Sequence, residues 1–210
     1  MSRTHHFLRK LLPSKTTIAN NALCTSNKNK VLVVGLGNYT CPKSRHSVGQ
    51  ILLDAMARKS TLQWPYYKSC KGHVTSFQVG DLEVFLLKPK HFMNNNGKSV
   101  LKALSVLDIN PSKVLLLHDE LDLPIGKFKI KHGGSANGHH GVLDTQERVK
   151  YNDFKRMKIG IGRPENKSDV SKFVLQNFTH YETEKLESLM DEMIDLTNKT
   201  VLSISNAPEP

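Results

Sequence analysis

Two stretches of the chain, Val31-Leu32-Val33-Val34 and Val114-Leu115-Leu116-Leu117, are apolar at every position. A strand covered on both faces reads this way, without the alternation of a half-exposed one, so both predict central strands. After the first, Val48, Leu52, Ala55 and Met56 recur near one face at helical spacing and predict a helix that opens close to His46. Cys70 to Gly80 and Leu82 to Leu87 read as a strand pair turning at Gly80-Asp81. Val100, Leu104 and Leu107 mark a second helix, ended before Asn110-Pro111. Phe128 to Lys131 alternates apolar residues with lysine, as an exposed edge strand does. A glycine loop, Gly133-Gly134-Ser135-Ala136-Asn137-Gly138, precedes a helix over His139 to Lys150, and Arg156 to Ile161 returns as a strand. Leu186, Leu189, Met190, Met193 and Ile194 form one amphipathic stripe, read as a single closing helix whose methionines fill the core. Strands alternating with helices predict an α/β fold, a single domain in which helices flank a twisted mixed sheet.

A length of 210 residues fits one domain. No run approaches the ~18 apolar residues of a membrane span, so no membrane partner is expected. The cysteines, Cys24, Cys41 and Cys70, are three and widely spaced, and neither a CxxC pair nor an HExxH helix occurs. No disulfide framework, metal site or cofactor is expected from that pattern. Charge adds more. The net +11 is uneven: residues 1–30 hold Arg3, Arg9, Lys10, Lys15, Lys28 and Lys30 and no acid. Phe7, Leu8, Leu11 and Leu12 lie on one helical stripe of that segment. A basic, acid-free, Ser/Thr-bearing amphipathic start matches a mitochondrial targeting segment; a basic arm that holds nucleic acid is the alternative. The division expected is a leader over 1–30 and a folded domain over 31–210, working in the mitochondrial matrix. Between Gly126 and Lys158, eight cations face only Asp144, Glu147 and Asp153, whereas the chain from Ile159 on is acidic. That basic stretch suits either a phosphate-bearing partner or a solvated face.

The chemistry gathers at three turns that follow the apolar runs, where open α/β sheets collect their functional groups. The first holds Asn38, Arg45 and His46, the second Phe92-Met93-Asn94, the third His118-Asp119-Glu120. A histidine base needs a partner that fixes its tautomer, and Asp119 at a buried strand end suits that role for His46. Asp119 reads equally as a turn residue, and with Glu120 and Asp122 as part of a cation site. Asn94 can donate to a carbonyl or oxyanion, or cap a helix. Gly35-Leu36-Gly37 lacks the third glycine of a dinucleotide fingerprint.

In order along residues 31 to 200, these segments resemble the bacterial-type peptidyl-tRNA hydrolase family. The resemblance rests on Val33-Val34-Gly35-Leu36-Gly37-Asn38, Arg45-His46, Lys88-Pro89 with Phe92-Met93-Asn94 and Gly97, His118 to Gly126, Gly133-Gly134, Gly138-His139 and Ile159 to Pro164. It implies hydrolysis of the ester joining a peptide to the 3′-terminal ribose of tRNA, with His46 as base and Asp119 holding its ring. It implies that Asn38 and Asn94 bind the substrate, that Met93 lines the peptide groove, and that Lys129, Lys131 and Lys158 meet tRNA phosphates. A noncatalytic RNA-binding protein of the splicing-factor kind on the same fold is the alternative. This chain departs from the family pattern in three places. Tyr39-Thr40 stands where Pro-Gly is usual, in a loop about two residues short; Ser47 replaces an asparagine; and Gly138-His139-His140-Gly141 puts His140 where an asparagine helps bind substrate.

Overall fold

Each fully apolar run forms a strand at the middle of one sheet. The computed structural model describes residues 29–208. Strand β1 (Asn29–Gly35) lies between β4 (Leu82–Pro89) and β5 (Val114–Glu120), parallel to both. It takes in Asn29 and Lys30, two residues before the boundary drawn from composition; the rest of the expected leader lies outside the described residues. With β2 (Tyr66–Tyr67), β3 (Gly72–Val79), β6 (Phe128–His132) and β7 (Lys155–Gly160), the sheet order is β2-β3-β4-β1-β5-β7-β6. β3 runs antiparallel to β4, and β6 antiparallel to β7, so the sheet is mixed. The turn at Gly80-Asp81 and the edge position of β6 are as the pattern predicts.

The alternate residues of the central strands supply two cores. Val31, Val33, Leu115 and Leu117 pack with helix α1 (Val48–Lys59) and the C-terminal helices; Leu32, Val34, Val114 and Leu116 pack with α2 (Asn96–Leu107) and α3 (His140–Val149). The predicted closing helix is instead two, α5 (His180–Ser188) and α6 (Met190–Ser205), with a short α4 (Val170–Leu175) before them. The apolar stripe ran through a break. Leu189 ends α5, and a Thr179 capping box, whose hydroxyl accepts from Glu182 N while the Glu182 carboxylate accepts from Thr179 N, starts it. Periodicity cannot see a break that keeps the same residues facing the core.

One close approach places the first turn. A Cβ on Gly49 would collide with the Leu117 carbonyl, and one on Gly35 with the Gly49 carbonyl. Helix α1 therefore lies directly against the ends of β1 and β5, and Leu36 N donates to Leu117 O at 3.0 Å. His46 sits three residues before that contact, in a 3-10 turn over Arg45–Ser47.

Candidate active site

The three polar turns meet at the carboxyl ends of β1 and β5. Residues that carry no chemistry sew them together. Asn96 Oδ1 accepts from Gly37 N at 3.0 Å, and its Nδ2 donates to Gly37 O at 3.0 Å and Phe92 O at 2.9 Å. This fully buried side chain locks the first turn to the second. Ser47 Oγ accepts from Asn38 N at 3.0 Å and donates to Cys41 O at 2.9 Å, so the serine braces the shortened loop from inside. Arg45, which shares the His46 loop, turns away from the site. Its guanidinium donates to Asn177 O at 2.7 Å, pairs with Glu182 at 2.7 Å and lies over the Phe173 ring. It anchors the backbone beside His46 to the C-terminal helices.

Asp119 is buried at the end of β5 and receives two imidazoles. His46 reaches it from the α1 side, Nδ1 lying 2.9 and 3.0 Å from the two carboxylate oxygens. His139 reaches it from the α3 side, Nε2 lying 2.8 Å from Oδ1. The His139 tautomer follows from its other nitrogen. Nδ1 accepts from Val142 N at 3.2 Å as the cap of α3, so the proton is on Nε2 and points at Asp119. An ionised carboxylate only accepts, so His46 likewise gives it Nδ1–H and keeps its lone pair on Nε2. Burial alone would push the Asp119 carboxyl up. The N–H groups of His139 and His46, both aimed at the carboxylate and donating to it, outweigh it and hold the group well below the usual carboxylate range. His118 is the third imidazole in contact. It donates Nδ1–H to the Asp119 carbonyl at 2.7 Å, meets the His139 ring edge-on at 4.7 Å, and is kept neutral first by burial and then by His139.

In the sequence His139 flanks the glycine loop, a place for binding phosphate or a ribose or for capping a helix; it does cap the helix, with one nitrogen, and gives the other to Asp119. Among the described residues, His46, Asp119 and His139 are also the group whose ligand atoms, within 4.8 Å of one another, could hold a metal ion. A metal there would have to displace both N–H···O bonds. Asn38 is buried, and its Oδ1 accepts from Thr40 N and Oγ1 at 3.1 and 2.7 Å, while among the described residues its amide NH₂ meets no protein acceptor. Asn94 is exposed in the 3-10 turn Met93–Asn95 and caps nothing; Asn95 occupies the cap position of α2. Met93 is buried beneath Gly141, where any Cβ would strike its sulfur. His140 is exposed at the first position of α3, next to His139.

The basic stretch divides. Lys129 is exposed and Lys131 half-buried on edge strand β6. Lys158 is not on the surface as expected: β7 is an interior strand, and the Lys158 amine pairs with Glu120, both side chains at least nine-tenths buried. Arg156 is interior too. It donates to the carbonyls of Gly133, Gly134 and Ser135 and so shapes the glycine loop that delivers His139. Gly133, Gly134 and Gly138 take φ of 56°, 80° and 79°, a backbone that loop needs and other residues resist.

Comparison with known proteins places the fold and sequence in one family. A model of the family "Peptidyl-tRNA hydrolase" matches residues 32–207. A probable peptidyl-tRNA hydrolase of Mus musculus is 38% identical over 179 residues, covering 84% of this chain and 88% of that protein. The chain belongs to the peptidyl-tRNA hydrolase family. A bacterial member from Sulfurihydrogenibium is 35% identical over 174 residues, covering 82% of this chain and 89% of its own. The crystal structure of the Acinetobacter baumannii peptidyl-tRNA hydrolase superposes with TM-score 0.73 at 28% identity, covering 89% of this chain and all of that one. A point mutant from the same organism gives TM-score 0.76 at 29% identity, covering 87% and 96%. These relatives carry the name of a hydrolase, and nothing in them supports the noncatalytic alternative.

Proposed function

We propose that the chain hydrolyses the ester between a peptide and the 3′-terminal ribose of tRNA, releasing both. The observation that carries this reading is the doubly donated Asp119, which leaves the Nε2 lone pair of His46 as the base. His46 takes a proton from water as the oxygen attacks the acyl carbon. The imidazolium formed is stabilised by Asp119 and returns the proton to the departing ribose oxygen. An ester is activated enough for a general base to suffice. The free NH₂ of Asn38 and the exposed amide of Asn94 place the carbonyl and donate to the oxyanion. Met93 lines the acyl side, and His140, in the position of the family's asparagine, donates to the substrate. The test is release of tRNA from N-acetyl-aminoacyl-tRNA; tight tRNA binding without cleavage would overturn the reading.

The tRNA limb rests on Lys129 and Lys131, whose edge strand extends the sheet outward from the site. Lys158 joins them only if Glu120 releases it, so the strand lysines are the ones to change. Lys129→Ala/Lys131→Ala should raise KM roughly tenfold at low salt and flatten its salt dependence, leaving kcat nearly intact. An effect confined to kcat would remove them from phosphate binding. The basic, acid-free composition of residues 1–30 supports work in the mitochondrial matrix. Fusion of those residues to a fluorescent reporter checks this, and a reporter left in the cytosol would refute it. The mechanism uses groups of one chain only and the working unit is a monomer, which sedimentation at assay concentration checks.

A further inference from the structure

A second cationic region flanks the site on the side away from Lys129 and Lys131. Strand β4 runs parallel to β1, and β3 antiparallel to β4, so the end of β4 and the start of β3 lie at the same end of the sheet as His46 and Asp119. Lys71 and Lys90 sit there, both exposed and joined by a Lys90 N to Lys71 O bond of 3.0 Å. Lys98, exposed in the first turn of α2, completes the group around His91. Among the described residues, no carboxylate pairs with any of the three lysines. Asp144, whose charge acts on His91, is already held by Arg148 at 2.6 Å and by Gly97 N at 2.8 Å. His91 adds no charge of its own: burial first, then Lys71 and Lys98, lower its pKa, and its buried Nε2 has no partner. Exposed aromatic rings stand among these lysines and beside the first two turns. Lys90 Nζ lies 5.0 Å from the centre of the Tyr66 ring, and Phe92, half exposed, meets Tyr39 edge-on at 5.2 Å.

The substrate's two limbs diverge from the ester. With the tRNA limb on β6, roughly 10 Å to one side of the site by strand spacing, the acyl limb leaves toward β4 and β3, a similar span the other way. We propose that this lysine rim receives the nascent peptide and makes the enzyme favour peptides bearing acidic side chains close to the ester. The inference rests on the hydrolase reading and adds a preference among its substrates. Carboxylates of the peptide meet Lys71, Lys90 and Lys98, which have no acid of their own. The aromatic rings cover its apolar parts.

The test uses one alanine tRNA carrying N-acetyl-Ala, N-acetyl-Asp-Asp-Ala or N-acetyl-Lys-Lys-Ala, with wild type beside Lys71→Gln/Lys90→Gln. Both positions are exposed, so the variant retains its fold, which an unfolding curve verifies. Wild type should show a KM about fivefold lower for the acidic peptide than for the basic one, the size expected of a few solvent-exposed ion pairs. In the variant that ratio should fall to about one, with kcat and the KM for N-acetyl-Ala unchanged. A variant that raises KM equally for all three substrates would show that the rim binds RNA, and would overturn the proposal. So would a wild type indifferent to peptide charge. No tRNA release from N-acetyl-Ala by wild type would sink the hydrolase reading itself, and this preference with it.

Discussion

His46→Asn should lower kcat for N-acetyl-aminoacyl-tRNA by about 10³-fold, within the range for loss of a general base, while tRNA affinity stays close to wild type. Asparagine is the sharper substitution here. Its Nδ2 can still donate to Asp119, so the buried carboxylate keeps two donors and the fold is spared. His46→Ala removes that donor as well and should cost about 1–3 kcal/mol of stability, the usual penalty for stripping a partner from a buried polar group. Single-turnover cleavage, tRNA binding and urea unfolding on both variants separate the two effects. If His46→Asn cleaves at the wild-type rate, His46 is not the base, and the tautomer assignment through Asp119 loses its functional meaning.

Where composition and spacing dictate structure locally, the chain was legible. The unbroken runs at Val31 and Val114 declared strands covered on both faces, the alternation at Phe128 declared an edge, and Gly80-Asp81 declared a turn. His46 and Asp119 could be paired in advance because each follows such a run, and neighbouring parallel strands bring their ends together. What escaped depended on contacts distant in sequence. Lys158 counts as surface charge until β6 is known to lie outside β7. Arg45 resembles a site residue until Glu182, 137 positions later, claims it. Nothing in Asn94-Asn95-Asn96 marks the third asparagine, yet its three hydrogen bonds hold two of the three turns in register. His139 was hidden by its double use, since a cap residue gives no sign of where its other nitrogen points.

Asp119→Asn tests the centre of this arrangement, and kcat should fall by about 10²–10⁴-fold, the scale at which losing a histidine's orienting carboxylate is felt. An asparagine offers one acceptor and one donor where two N–H groups arrive. One imidazole must then change tautomer. If His139 yields, it loses its bond from Val142 N and the start of α3 loosens. If His46 yields, its proton moves to Nε2 and the lone pair that would take a proton from water is gone. Either route lowers activity, because the neutral amide no longer stabilises the His46 imidazolium, and ¹⁵N chemical shifts of the two rings tell which is taken. Wild-type turnover in this variant would show that Asp119 does not set the tautomer. The sign of the carboxyl shift separates Asp119 from the pH dependence of the reaction. Its folded pKa is depressed, so its contribution to stability is complete above the unfolded value, about 3.9. It is lost only as the pH falls through the lower folded value. Activity lost above the usual carboxylate range therefore cannot come from protonating Asp119, and the wild-type protein should remain folded through any such loss.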